Sequence, residues 1–237
     1  MVFSIRKHPV GVTQHIVQST KERSDCFGRP SDYAAYLKYL QHASCRFQVA
    51  VHAWVVMRNH CHLLLTAAID TAIDALLRDV RKQYLGYCRS LYPDASELLQ
   101  EHYLCSAVQA DDHFLRCCRF IEANPVRASV VATPADYRWS SYGCSALGVE
   151  SELWVPHSRY RALGADNLAR RIAYRRQFAD ILKPEETRQI RACLYQGKPY
   201  GAAGFCQRLA PALETPVALL KTPISGSDLS LHQGKDQ

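Results

Sequence analysis

The chain has 237 residues, enough for one domain with an appendage or for two small domains. Its composition is 48% hydrophobic and 22% charged, which excludes a collagenous, disulfide-scaffold or wholly disordered chain. Lysine and arginine outnumber aspartate and glutamate by 29 to 22, and the resulting charge of +7 is compatible with a polyanionic partner without requiring one.

The ten cysteines are scattered, and no two of them form a CxxC pair. They therefore predict no zinc finger, and we expect reduced thiols that fill small apolar spaces in a cytoplasmic protein. The sequence has no uncharged apolar run of about 18 residues, so we expect no membrane-spanning helix and no membrane partner.

The first elements follow from the spacing of apolar residues. A strand is predicted at 11–20, followed by a helix that is capped by Ser31 or Asp32. Two segments rich in β-branched and aromatic residues come next, "FQVAVHAWVVMRN" and "HCHLLLT". They predict two strands joined by a turn near Arg58 and Asn59.

A long amphipathic helix is then predicted in "DTAIDALLRDVRKQYLGYCRSLY", with an apolar stripe opposite a basic face. The basic face holds Arg78, Arg81, Lys82 and Arg89. A short strand in "EHYLCSAVQ" and a helix capped by Asp111 or Asp112 and stopped by Pro125 complete the order β-α-β-β-α-β-α. That order favours an α+β fold, with an antiparallel or mixed sheet and helices on one face.

The rest of the chain is basic and helical in pattern. We expect a first domain over 1–148, a helical C-terminal extension over 149–213 and a flexible Pro/Ser/Gly/Lys-rich tail over 214–237. Arginines recur in the extension, at Arg159, Arg161, Arg170, Arg171, Arg175 and Arg176. These arginines and the basic helix face are either solvated surface or contacts to a phosphate backbone.

The segment "WVVMRNHCHLLL" places His60 and His62 two residues apart in a predicted strand. Alternate side chains of a strand share a face, so both imidazoles project together while Cys61 points to the core. Two neutral imidazoles can converge on one divalent ion when a third ligand joins them. A structural use of the two histidines is the alternative.

The segment "RFIEANPVRASVV" offers that third ligand. Phe120 and Asn124 lie one helical turn apart, and Asn124 precedes Pro125, which disfavours further helix. The Asn124 amide is therefore expected at a helix end, where it can turn toward a metal. A capping role for Asn124 is the alternative.

Taken together, "HAWVVMRNHCHLLL" and "RFIEANPVRASVVATPADYRWSSY" resemble the REP-associated tyrosine transposases, a branch of the single-tyrosine HUH, IS200-like transposase family. The likeness extends over about residues 10–213 and includes "HSRYRALGADNLARRIAYRRQF" and "IRACLYQGKPYGAAGFCQRL". It implies a ferredoxin-like/HUH sheet, a divalent metal cofactor (Mg or Mn), and cleavage and strand transfer of single-stranded DNA at REP hairpins. It also implies single-stranded or hairpin DNA with REP-like palindromes as the partner, and a monomer rather than a dimer.

The resemblance assigns His60, His62 and Asn124 to the family's metal site. It places Arg127 at a basic motif position, so Arg127 joins the basic helix face as a candidate DNA contact. The family's nucleophilic tyrosine falls at Phe120, which keeps the ring and lacks the hydroxyl that attacks a DNA phosphate. Three explanations stay open: replacement of Tyr by design, natural loss of cleavage, or substitution by another tyrosine. The nearest candidates for that last role are Tyr84, Tyr87 and Tyr103.

Other positions also depart from the family pattern. Arg58 stands where the family has Pro, Ser129 stands where it has Gly, and "SELLQEHY" lacks a Trp and an Arg. The functions that remain are a metal-dependent DNA nuclease and strand transferase, a non-cleaving hairpin-binding protein, and a zinc hydrolase. The hydrolase requires an acidic residue near the histidines, and Glu122 is poorly placed because it lies about 200° around the helix from Phe120.

Overall fold

The computed structural model describes residues 6–20, 25–91, 99–178 and 182–213, with side chains up to residue 210. The tail predicted at 214–237 and the first three residues of "SELLQEHY" lie outside the described residues.

The predicted order β-α-β-β-α-β-α is confirmed. Its elements are β1 (Thr13–Ser19), α1 (Pro30–Phe47), β2 (Val49–Val56), β3 (His60–Ala67), α2 (Ala72–Leu91), β4 (Leu104–Val108) and α3 (Asp112–Glu122). The four strands form one antiparallel sheet in the order β2-β3-β1-β4, so β3 and β1 are central. This α+β, ferredoxin-like sheet is the predicted fold class.

The ends of two helices differ from the prediction. Asp32 does not cap α1 from outside but lies in its first turn, where its carboxylate accepts from the backbone N–H of Gly28 (3.1 Å) and Arg29 (2.8 Å). Pro125 does not end the helical course of the chain either. A short helix, α4 (Asn124–Arg127), follows α3 directly, and Pro125 fits its start because no N–H is needed there.

The sheet is covered on both faces, whereas the sequence predicted helices on one face. Cys61, Leu63 and Leu65 of β3 pack in a cluster with α1 and α2. Leu64, on the opposite face, packs in a second cluster with α3. The prediction is therefore correct for α1 and α2 and incomplete for α3, because the local pattern of a helix does not say which face of the sheet it covers.

The C-terminal extension lies on the α3 side of the sheet. After a 3-10 turn (Pro134–Asp136) and a π-helical turn (Gly143–Leu147), it forms α5 (Ser158–Arg161), α6 (Asn167–Arg176), α7 (Pro184–Gln196) and α8 (Ala203–Leu213). Tyr160, Tyr174 and Ile190 belong to the same hydrophobic cluster as Leu64. Tyr200 joins β4 through its backbone, donating to the Ala107 carbonyl at 2.7 Å.

All ten cysteines are free and seven are buried, which matches their predicted use as small apolar side chains. Among the described residues, no helix combines the length and the apolar character needed to cross a membrane.

Ser129 has a backbone φ of 56°, in the left-handed region that favours glycine. This accounts for the glycine that the family pattern carries there. We expect Ser129→Gly to raise the free energy of unfolding by about 0.5–1 kcal/mol, since relief of the left-handed strain exceeds the added entropy of the unfolded chain. Urea unfolding measures this change.

The neighbouring Ala128, with a φ of −88°, provides the matched control. Ala128→Gly adds unfolded-state entropy without relieving strain and is expected to lower the free energy of unfolding by about 0.4–1 kcal/mol. Equal losses from both substitutions would contradict the strain argument.

Candidate active site

The histidine pair lies where the alternation of β3 predicts. Cys61 is 0% exposed beneath α1 and α2, and His60 and His62 therefore project from the opposite face, toward α3. Their ring centroids are 5.2 Å apart. His62 is buried and His60 is partly exposed, so the site is reached from the His60 side.

Each imidazole has its Nδ1 held by a neighbouring side chain. Nδ1 of His60 lies 2.7 Å from Oδ1 of Asn59, and Nδ1 of His62 lies 2.9 Å from Nε2 of His15. Partners of this kind orient the rings of metal-binding histidines and select the tautomer in which the other nitrogen carries the lone pair.

Asn124 meets the histidine pair, as the sequence predicted. Its side-chain nitrogen lies 3.1 Å from Nε2 of His60, and the residue is buried at the start of α4. Rotating the carboxamide by 180° exchanges its nitrogen and oxygen, so the same position can present an oxygen donor to a cation.

This donor set fits a divalent cation. The described residues contain no group of three or more His, Cys, Asp or Glu side chains suited to a metal. The Asn124 carboxamide, 3.1 Å from His60, would be the third donor beside the two imidazoles. Imidazole with oxygen donors is compatible with Mg or Mn, and the residues alone do not select between them.

The electrostatics keep the imidazoles of His62 and His15 neutral. Burial, followed by the charges of His15, His60, Arg127 and Arg191, holds the pKa of His62 well below its ordinary value. Burial and then Arg127 lower the pKa of His15 to about 3. Neutral rings retain the lone pairs that metal coordination requires.

Phe120 occupies the centre of the site. It is 2% exposed, and its ring makes edge contacts with His15 and His62, each at a centroid distance of 5.8 Å. The guanidinium carbon of Arg127 lies 4.2 Å from the ring centroid, and its Nη2 donates to the Phe120 carbonyl at 2.6 Å. A tyrosine at this position would carry its hydroxyl among these groups.

The hypothesis that another tyrosine replaces the nucleophile is wrong for all three candidates. Tyr84, Tyr87 and Tyr103 pack in or against the α1/α2 cluster, on the sheet face opposite His60 and His62. Their hydroxyls are also engaged there: Tyr84 donates to the Cys26 carbonyl, Tyr87 to Asp32 and Tyr103 to Asp74. Tyr84 and Tyr87 belong to α2, which covers that face of the sheet, and Tyr103 packs in the same cluster.

The predicted basic face of α2 does not join the histidines, since α2 covers the other side of the sheet. Arg78 pairs with Asp74 at 2.8 Å, and Arg81 donates to the Leu99 carbonyl at 3.0 Å. Lys82 and Arg89 are exposed.

The arginines of the extension largely form contacts with other groups of the same chain. Arg159 pairs with Asp112 at 3.0 Å, Arg175 donates to the Ala146 carbonyl, and Arg170 donates to the carbonyls of Arg161, Gly164 and Ala165.

Sequence reasoning missed two residues of the site, His15 and Arg191. His15 was visible as a polar residue in an imperfectly alternating strand, and its contact with His62 depends on the β1–β3 register, which pairs His15 with Leu64 and Val17 with His62. Arg191 carries no local signal, because its place depends on how α7 packs.

A ferredoxin-like sheet with an H-x-H pair on a central strand, facing a helix, defines an HUH-type protein. Residues 10–124, just under half of the chain, match the family model described as "Transposase IS200 like", so this segment is similar to the IS200-like transposases. The match runs from β1 to Asn124 and includes both histidines. No curated protein matches the chain.

Two solved structures are similar to this chain. The first is the structure of a REP-associated tyrosine transposase bound to a REP hairpin, with 19% identity and a TM-score of 0.53. The aligned region covers 66% of this chain and 93% of the REP-associated transposase, and the likeness shows that the two share a fold. The second, a candidate transposase from Deinococcus radiodurans R1, has 17% identity, a TM-score of 0.36 and coverage of 48% of this chain and 89% of that chain.

Glu122 lies on the far side of α3 from the histidines. It is 0% exposed and accepts hydrogen bonds from Ser141 (2.5 Å), Ser145 (3.0 Å) and Tyr174 (2.7 Å). It therefore supplies no acidic group to a zinc hydrolase at His60 and His62. Burial raises the pKa of Glu122 to about 7, against the opposing effect of these three hydroxyl donors.

This raised pKa predicts a pH-dependent stability. The contribution of Glu122 is fully present below its unfolded value near 4.5 and is lost as pH rises through about 7. The rise from 4.5 to about 7 corresponds to about 3 kcal/mol. Urea unfolding between pH 4.5 and 8 should show a smaller decline for Glu122→Gln than for the wild type.

The exposed Glu150 on the neighbouring loop supplies the control. Glu150→Gln should decline with pH as the wild type does. Parallel pH profiles for Glu122→Gln and the wild type would show that the Glu122 carboxyl does not carry the effect.

Proposed function

We propose that this chain binds hairpin DNA as a member of the REP-associated branch of the family and does not cleave it through a tyrosine. The observation that carries the proposal is Phe120, which occupies the nucleophile position in contact with His62 and Arg127. The groups around it are those that metal-dependent cleavage and strand transfer require, without the hydroxyl.

His60, His62 and Asn124 would hold the divalent cation, Mg or Mn. When bound, the cation polarises a DNA phosphate. The residues of the chain do the rest: Asn59 and His15 orient the two imidazoles, burial keeps His62 neutral, and α4 carries the carboxamide to the same point.

The partner we propose is single-stranded or hairpin DNA with REP-like palindromes. The REP-associated transposase with the shared fold is bound to a REP hairpin, which supports this class of partner. Arg127 would contact a phosphate at the site, while Arg78, Arg81, Lys82 and Arg89 would meet a separate part of the DNA, since α2 covers the other face. A monomer in the cytoplasm, with no membrane partner, stays our expectation.

Phe120→Tyr tests the proposal directly. The tyrosine oxygen would attack the phosphorus and the P–O3′ bond would break, leaving a 5′-phosphotyrosine link and a free 3′-OH. We expect nicking of a fluorescent REP-like hairpin with Mn to rise by about 10³-fold or more over the Phe120 protein. An adduct that survives SDS should appear only in the variant.

Two further variants complete the design. Adding His62→Ala to Phe120→Tyr should abolish product, and adding Tyr84→Phe should leave it unchanged, because Tyr84 lies on the other face. A nicked product or adduct from the Phe120 protein itself would refute a binding-only function. Hairpin binding by Phe120→Tyr without any product would show that more than the hydroxyl has been lost.

A further inference from the structure

Two arginines beside the site have buried donors without acceptors. Nε and Nη1 of Arg127 and Nε of Arg191 are buried and form no hydrogen bond among the described residues. Native proteins satisfy nearly all buried donors, so unpartnered donors in a charged group point to an acceptor supplied from outside. Arg127 is on α4 and Arg191 is on α7 of the C-terminal extension.

The two guanidinium groups act on the same region. The charge of Arg191 lowers the pKa of Arg127, after burial, and both charges lower the pKa of His62. Neither arginine pairs with a described carboxylate. The two acidic residues of α7 are engaged elsewhere, Glu186 with Arg116 at 3.1 Å and Glu185 with Arg188 at 2.7 Å.

The side chain of Arg127 and the helix that carries Arg191 are held in place. Arg127 stacks on the Phe120 ring and donates from Nη2 to the Phe120 carbonyl, which leaves its other two nitrogens unpartnered. Arg191 lies on α7 between Ile190 and Leu194, which are 1% and 4% exposed and anchor the helix in the core. The Arg116–Glu186 pair ties α7 to α3.

We propose that Arg127 and Arg191 together form a receptor for a phosphate group, and that the C-terminal extension thereby completes the site on the sheet. This inference rests on the proposed hairpin binding and names the group through which the extension takes part. Guanidinium suits the role because its planar fork binds two phosphate oxygens at once and stays charged. The two positive charges lie beside the neutral imidazole of His62, and an anion would balance them.

Hairpin binding measured against salt tests the receptor in DNA recognition. Arg191→Gln should weaken binding of a REP-like hairpin by about tenfold or more and reduce the slope of log K against log salt by about one. Arg191→Lys should keep the slope and lose part of the affinity, since it keeps the charge and loses the fork. Arg188→Gln, one turn earlier on α7 and exposed, should behave as the wild type.

Inorganic phosphate tests the receptor without DNA. Sodium phosphate should raise the Tm of the wild type above sodium chloride of equal ionic strength, and Arg191→Gln should abolish the difference. Without phosphate, Arg191→Gln should unfold at the same temperature as the wild type or a higher one, because it removes a buried unpartnered donor and the repulsion between Arg191 and Arg127. A lower Tm would show a structural role and overturn the proposal.

The two assays separate the receptor from the proposed function. Hairpin binding with the same salt slope and affinity in Arg191→Gln would overturn the receptor and leave hairpin binding intact. Failure of the wild type to bind the hairpin, with phosphate stabilisation that depends on Arg191, would overturn the proposed function and support the receptor.

Discussion

The alternation of side chains along β3 is the constraint on which the site depends. Cys61, Leu63 and Leu65 are 0% exposed beneath α1 and α2, and this burial fixes which face each neighbour takes. A slip of one residue would exchange the two faces, burying the imidazoles under α1 and α2 and losing the apolar contacts of three side chains. Pairing of β3 with β1 and β2 on both sides, including His62 opposite Val17 and Val55, holds the register.

The other residues of the site lie around the face of β3 that carries His60 and His62. One helical turn relates Phe120 to Asn124, so the same helix face that packs a ring against His62 delivers a carboxamide to His60. Two guanidinium groups lie beside the site, and the buried carboxyl of Glu122 on the neighbouring α3 is turned away into a hydroxyl network. A neutral donor set under positive charge suits a metal together with a polyanion, and it suits acid-base hydrolysis poorly.

The sequence predicted those parts of the molecule that depend on short-range periodicity. The H-x-H pair, the Phe120–Asn124 spacing and the order of strands and helices all follow from periods of two or 3.6 residues. His15 was missed because its partner His62 is 47 residues away, across a strand pairing. The role of Arg191 and the helix on the second face of the sheet were not predicted, because the packing of α3 and α7 against the sheet produces no periodic pattern in the sequence. The proposal of the three tyrosines as substitute nucleophiles was wrong for the same reason. Nearness in the sequence does not determine which face of the sheet a side chain occupies.

The central claim is that His60, His62 and Asn124 bind one cation. Anomalous diffraction from crystals grown with Mn tests it most directly. The account predicts one strong peak bounded by the two imidazoles and the Asn124 carboxamide, absent in a His60→Ala, His62→Ala double variant that keeps its fold. A peak that persists in the double variant, or Mn bound only elsewhere on the protein, would contradict it.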